Sequence, residues 1–155
     1  LTVAEGLRHS RYGFGIVHDY EASRFRSVHK ILIIEDHGDM RELLTWQIEL
    51  MGFVPITAKR GNEGVEKALS EKPQLIIMDI MMPGMDGWAA AREMRANAET
   101  KDIPILAATA LFRDSDLKSC IEAGCNGYIV KPFTFQELQA KVRELIPAGS
   151  TTYSL

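Results

Sequence analysis

Cysteine is scarce in this chain of 155 residues, with Cys120 and Cys125 as its only two. They are too few and too irregularly spaced for a disulfide framework, a CxxC redox pair or a thiolate zinc site, and they read as reduced thiols of the cytoplasm. Long apolar runs are also missing, and none approaches the roughly 20 residues that a membrane span needs. The N-terminus lacks the compact apolar core and small-residue cleavage site of a signal peptide. Neither sign of charge is in large excess: 18 basic and 21 acidic residues give a net charge of -3, without the basic footprint of a nucleic-acid binder. There is no internal repeat and no low-complexity block. What remains is a chain that is 46% hydrophobic, long enough for one domain with a real core and too short for two.

Residues 1–29 mix Arg8, Arg11, Arg24 and Arg26 with Glu5, Asp19 and Glu21, and their apolar residues hold no sustained period. They read as an extension or linker, within which Tyr12, Phe14 and Ile16 alternate as in a short strand or a docking segment. From Lys30 the pattern sharpens. Ile31 to Ile34 is a β-branched and aliphatic run that ends in Glu35-Asp36, and Met40, Leu43, Leu44, Ile48 and Met51 then recur at helical spacing before the stop at Gly52. Phe53 to Ala58 predicts a second strand, and Val65, Ala68 and Leu69 a second helix that ends before Pro73. Leu75 to Met78 is a third strand, buried on both faces, which delivers Asp79 at its end. Asp86 caps a third helix from Trp88 to about Ala96. Ile103 to Ala108 and Tyr128 to Val130 predict two more strands, ending at Thr109 and at Lys131-Pro132. The helix between them starts at Asp114, carries Leu117, Cys120 and Ile121, and stops at Gly124. Thr134 and Glu137 form a capping box for a last helix with Leu138, Val142, Leu145 and Ile146 on its buried stripe, closed by Pro147. Residues 30–147 thus form the folded domain, and 148–155 a polar tail.

Five strand-helix units in strict alternation predict an α/β fold, a parallel sheet with helices on both faces and right-handed crossovers. Parallel strands bring their carboxyl ends to one edge. That edge would hold Glu35, Asp36, Asp79, Thr109 and Lys131. Asp79 taken alone reads equally well as a turn cap, but three carboxylates in one pocket repel one another and call for a cation. Oxygen donors without His or Cys from the other strands favour Mg2+. A carboxylate beside Mg2+ can attack phosphorus and form an aspartyl phosphate, with Lys131 and the Thr109 hydroxyl meeting phosphoryl oxygens.

The segments I-L-I-I-E-D, L-I-I-M-D-I-M-M-P-G-M-D-G, A-A-T-A and G-Y-I-V-K-P-F, in that order and spacing, resemble the receiver domain of two-component response regulators from about Lys30 to Ile146. The resemblance implies a flavodoxin-like (βα)5 fold of strand order 2-1-3-4-5 and a signalling switch rather than an enzyme. It implies that Asp79 accepts phosphate from a phosphohistidine on a sensor histidine kinase or histidine phosphotransfer protein. Glu35 and Asp36 then organise Mg2+ together with Asp79 and the backbone carbonyl of Met81, and Lys131 pairs with the phosphate, its bond to Pro132 being cis. Thr109 and Tyr128 are the switch pair, and helix four, strand five and helix five form the readout face toward a protein target, a fused output domain or a second copy of the chain. Direct contact with nucleic acid or membrane is not implied.

Glu35 stands where the family often has Asp. Met81 and Leu111, two residues after Asp79 and Thr109, are apolar and bulky, which predicts slow loss of phosphate. A phosphatase of the haloacid dehalogenase type would want an acid at Met81. A flavin-binding module would want a Ser/Thr/Gly loop where Glu35-Asp36 stands. A receiver-like scaffold that is never phosphorylated is the remaining alternative. His37 reads as an exposed loop residue, His9, His18 and His29 lack the helical hairpin of a phosphodonor, and Trp46 and Trp88 fit helix surfaces or partial cores.

Overall fold

The computed structural model describes residues 29–110 and 113–146. Tyr12, Phe14, Ile16, His9, His18, Leu111, Pro147 and the tail 148–155 therefore lie outside the described residues. Five strands, β1 (Lys30–Ile34), β2 (Val54–Ala58), β3 (Leu75–Asp79), β4 (Ile105–Thr109) and β5 (Gly127–Val130), pair in parallel in the order β2-β1-β3-β4-β5. Five helices alternate with them: α1 (Gly38–Leu50), α2 (Gly61–Glu71), α3 (Gly87–Ala96), α4 (Asp114–Glu122) and α5 (Phe135–Leu145). This is the predicted doubly wound, flavodoxin-like arrangement.

The helices divide between the two faces of the sheet. Ile31, Ile33, Leu75, Ile77, Leu106 and Ala108 meet Leu44 and Ile48 of α1 and Leu138 and Val142 of α5. Leu32, Ile34, Ile76, Met78, Ile105 and Ala107 meet Val65 and Ala68 of α2, Ala90 and Met94 of α3 and Cys120 of α4. Alternating residues of one strand thus feed two cores, so β1, β3 and β4 have no polar face. Truncating a residue such as Ile33 to Ala would cost about 2–5 kcal/mol at such a site.

The first and fifth strands begin one residue earlier than expected, at Lys30 and Gly127, and two others begin later. The second strand begins at Val54 because the Phe53 amide turns back to the Ile48 carbonyl at 3.2 Å and closes α1. The fourth begins at Ile105 because Pro104 has no N–H to give the ladder, while its carbonyl accepts from the Ile76 amide at 2.9 Å. Leu43 and Ile121, expected on buried stripes, face solvent. Each lies one residue, about 100°, from the centre of its helix's inward arc at Leu44 or Cys120, and the sheet covers little more than that arc.

The helix signals hold. The Asp86 carboxylate accepts from the Ala89 amide at 2.7 Å, and the Thr134–Glu137 capping box is complete. Gly52 and Gly124, the predicted stops, sit at φ +86° and +102°, where a side chain would be strained.

Candidate acidic site at the carboxyl edge of the sheet

Because α1 runs from β1 to one side and α2 returns the chain to β3 on the other, the strand order reverses between β1 and β3. Open α/β sheets place ligands in the crevice that such a reversal leaves beyond the strands' carboxyl ends. Glu35 follows β1 directly, and Asp79 is the last residue of β3.

The structure brings most of the expected residues together there. Glu35, Asp36 and Asp79 each turn a carboxylate oxygen into one volume, all within 4.8 Å of one another. Glu35 and Asp79 are buried and Asp36 is exposed, so the cluster opens to solvent through Asp36. The Lys131 ammonium enters from beyond β5, 2.7 Å from Glu35 Oε2 and 3.6 Å from Asp79 Oδ2. It therefore hydrogen-bonds to Glu35 and only neighbours Asp79. The Lys131–Pro132 peptide is cis, as expected.

Backbone groups complete the frame. The Met81 amide donates to Asp79 Oδ1 at 3.0 Å, and the His37 amide donates to Glu35 Oε1 at 3.1 Å. Burial raises the Asp79 carboxyl above its ordinary range, and the nearby carboxylates of Glu35 and Asp36 push the same way. The Lys131 ammonium and the Met81 amide pull against them. Burial prevails, so the ionised form of Asp79 is held at a cost.

Thr109 is wholly buried at the end of β4, and its carbonyl accepts from the Lys131 amide at 2.8 Å. Tyr128 pairs in register with Ala107, two residues before Thr109, so both side chains lie on the face covered by α2, α3 and α4. Tyr128 is 37% exposed, so it does not pack as a core residue here. Met81 stands at the rim and is 58% exposed. His37 is exposed at the N-cap of α1.

Two supporting residues had not been expected from sequence. Arg41 donates from Nη1 to the carbonyls of Glu35 at 3.0 Å and Asp36 at 3.3 Å, and so fixes the backbone of the acid pair. A cation in the first turn of a helix opposes the helix dipole, and that local disagreement was the available signal. Gly87 opens α3 so close to β3 that a Cβ there would stand 2.7 Å from the Asp79 carbonyl oxygen.

The chain can now be set beside known proteins. The family model for the response regulator receiver domain matches residues 31–143. Among curated relatives, the transcriptional regulatory protein HprR of Escherichia coli is 40% identical over 114 residues, 74% of this chain and 50% of HprR. The probable transcriptional regulator ycf27 of Guillardia theta is 35% identical over 117 residues, 76% of this chain and 45% of that protein. The chain thus spans about half the length of the curated relatives it matches. Among solved structures, the receiver domain of sensor histidine kinase PA1611 from Pseudomonas aeruginosa, described with magnesium coordinated in its active-site cleft, is 31% identical. It superposes with a TM-score of 0.73 over 77% of this chain and 98% of that one. The chemotaxis protein CheY4 of Vibrio cholerae gives a TM-score of 0.74 at 26% identity, over 77% and 99% of the two chains.

Proposed function

This chain belongs to the response regulator receiver domain family, and from that premise we propose that residues 30–147 form a phosphorylation switch with Asp79 as phosphoacceptor. The observation that carries the reading is the meeting of Glu35, Asp36 and Asp79 within 4.8 Å, with the Lys131 ammonium beside them. The donor set fits Mg2+: three hard carboxylates, one of them solvent-facing, hold more negative charge than one lysine offsets. Glu35, Asp36, Asp79 and the Met81 carbonyl would hold the ion, which when bound supplies charge neutralisation at the phosphoryl oxygens.

A carboxylate oxygen of Asp79 attacks the phosphorus of a phosphohistidine on a histidine kinase or phosphotransfer partner. The new P–O bond forms as the P–N bond breaks, and the electron pair of that bond stays on the imidazole, which takes up a proton. Lys131 exchanges Glu35 for a phosphoryl oxygen, and the Thr109 hydroxyl donates to another. The group adds about −1.5 to −2 charge. Thr109 is drawn toward it, and Tyr128 turns from its exposed position into the space behind. The readout face is α4, β5 and α5, met by a protein target, a fused output domain or a second copy of the chain. The domain itself makes no nucleic-acid contact in this reading, and any such contact belongs to an output domain. Among the described residues no helix is long and apolar enough to cross a membrane, which accords with a cytoplasmic site of action.

Met81 and Leu111 lack a group that could orient an attacking water, so the phosphate is retained for minutes or longer. Labelled acetyl phosphate with Mg2+ tests the whole reading. Wild type and Tyr128→Ala take up label that decays slowly, and Asp79→Asn takes up none. Equal labelling of Asp79→Asn would sink the assignment and favour an unphosphorylated scaffold, and loss of label within seconds would sink the shielding role of Met81 and Leu111.

A further inference from the structure

The seven methionines of this chain divide unequally. Met78, Met82, Met85 and Met94 pack into the core under α2, α3 and α4, and Met40 and Met51 into the core under α1 and α5. Met81 is the one methionine that neither core holds, and it is 58% exposed. A single exposed apolar residue is ordinary, but the position of this one is not. Its amide donates to Asp79 Oδ1 at 3.0 Å, so its side chain starts from backbone that is bonded to the candidate phosphoacceptor. That side chain is unbranched, with three rotatable bonds and a polarizable sulfur.

We propose that Met81 is an oxidation site whose sulfoxide shortens the life of the phosphate on Asp79, with a hydroperoxide as the oxidant. The effect on lifetime rests on the phosphorylation reading, whereas the selectivity of oxidation does not. A lone pair of the sulfur attacks the outer oxygen of hydrogen peroxide, and the S–O bond forms as the O–O bond breaks. The hydroxyl that arrives on sulfur gives its proton to the hydroxide that leaves, so the products are a sulfoxide and water. Sulfur is oxidised by two electrons and the peroxide reduced by two. The other methionines sit in densely packed interior, so peroxide meets Met81 first.

The consequence follows from what the oxygen adds. Hydrolysis of an aspartyl phosphate needs a water in line with the bond that breaks. A thioether is a weak acceptor and does not hold one, and Glu35 is already engaged at both oxygens by the Lys131 ammonium and the His37 amide. Oxidation turns a flexible apolar arm into a polar one, and its new oxygen accepts from a water at the mouth of the site. The change adds no net charge and leaves the Met81 amide and carbonyl as they were, so uptake of phosphate persists. A sulfoxide reductase reverses it: two thiols join as a disulfide while the oxygen leaves as water.

Limited treatment with hydrogen peroxide, mapped by tandem mass spectrometry, is the first half of the test. The second is labelling with acetyl phosphate and Mg2+ once the peroxide has been removed. Met81 takes up oxygen before the other methionines, and the label then decays about tenfold faster than in the untreated chain, a modest share of what positioning a reactant contributes. Reductase treatment restores the slow decay. Met81→Leu, which has no sulfur, decays at one rate with and without peroxide, and Met81→Gln, which carries an amide oxygen, decays fast without it. Earlier oxidation of any other methionine overturns the proposal, as does acceleration that persists in peroxide-treated Met81→Leu. An untreated chain that takes up no label overturns the phosphorylation reading, and this proposal with it. A chain that takes up label and keeps it just as long after Met81 is oxidised overturns this proposal alone.

Discussion

The two edges of the sheet treat their polar groups in opposite ways. At the amino edge, Arg95 of α3 gathers the loops before β4 and β5. Its Nε donates to the Gly124 carbonyl at 2.8 Å, Nη1 to the carbonyls of Lys101 at 2.9 Å and Ile103 at 2.7 Å, and Nη2 to Asn126 Oδ1 at 2.6 Å. Asn126 Oδ1 also accepts from the Ile105 amide at 2.9 Å, which ties the knot to β4 itself. A planar guanidinium suits such a site because its donors point in fixed directions to several acceptors at once. At the carboxyl edge, three acids share one volume with one ammonium that hydrogen-bonds to Glu35 and leaves Asp79 at 3.6 Å. The Arg95 knot is satisfied and holds the loops of its edge together. The other edge keeps a local conflict, and conflicts of that kind collect where a protein does its chemistry.

Substitution at each edge should therefore move stability in opposite directions. The largest change is expected for Arg95→Ala. Each hydrogen bond lost to a carbonyl or amide costs about 1 kcal/mol, so the variant loses about 2–4 kcal/mol. That corresponds to a Tm lower by on the order of 10 °C for a domain of this size. Phosphate uptake at Asp79 should persist below the new Tm, and its loss in a folded sample would show that the two edges are not separable.

Asp79→Asn should act the other way, raising Tm without Mg2+ at neutral pH. Burial lifts the folded pKa of Asp79 above its ordinary 3.8, so its contribution to stability is full below that value and is lost as pH rises through the folded pKa. The gap between Asp79→Asn and wild type should open from about pH 4 to pH 7 and narrow when Mg2+ binds the native state of the wild type. Thermal melts across that range check it, and a gap independent of pH would argue that crowding of charge is not the cause.

Thr134→Ala, which removes the cap of α5 without touching the acids, should cost about 1 kcal/mol. In the intact box, the amide and hydroxyl of Thr134 hold the Glu137 carboxyl below its ordinary range. That contribution is present above the unfolded glutamate pKa and is lost as pH falls through the folded one. Urea melts of wild type and Thr134→Ala at pH 7 and pH 3 should therefore converge on acidification.

Much of this was legible in the residues themselves. Strand-length runs such as Ile31 to Ile34, the stops at Gly52 and Gly124 and the Thr134–Glu137 box all express local backbone rules, and the structure repeats them nearly residue for residue. The polar residues at strand ends were visible as well, because parallel alternation sends all carboxyl ends to one edge. Less legible were Leu43 and Ile121, since a helical period identifies an apolar stripe but does not say how wide an arc the sheet covers. Arg95 gave no signal, because the carbonyls it joins belong to loops 29 residues apart from it or more, and to the turn just after its own helix.

Sequence alone determined the order of elements, the caps that bound them and the set of acids, hydroxyl and lysine available at the carboxyl edge. These follow from side-chain period and backbone geometry over a few residues. Only the tertiary structure decided that Lys131 leans on Glu35, 96 residues away, and stands off Asp79. It alone decided that Arg95 closes the opposite edge, and that Trp46 and Leu50 face outward. Such choices rest on distances between segments remote in the chain, which the packing of two helical layers on one sheet sets.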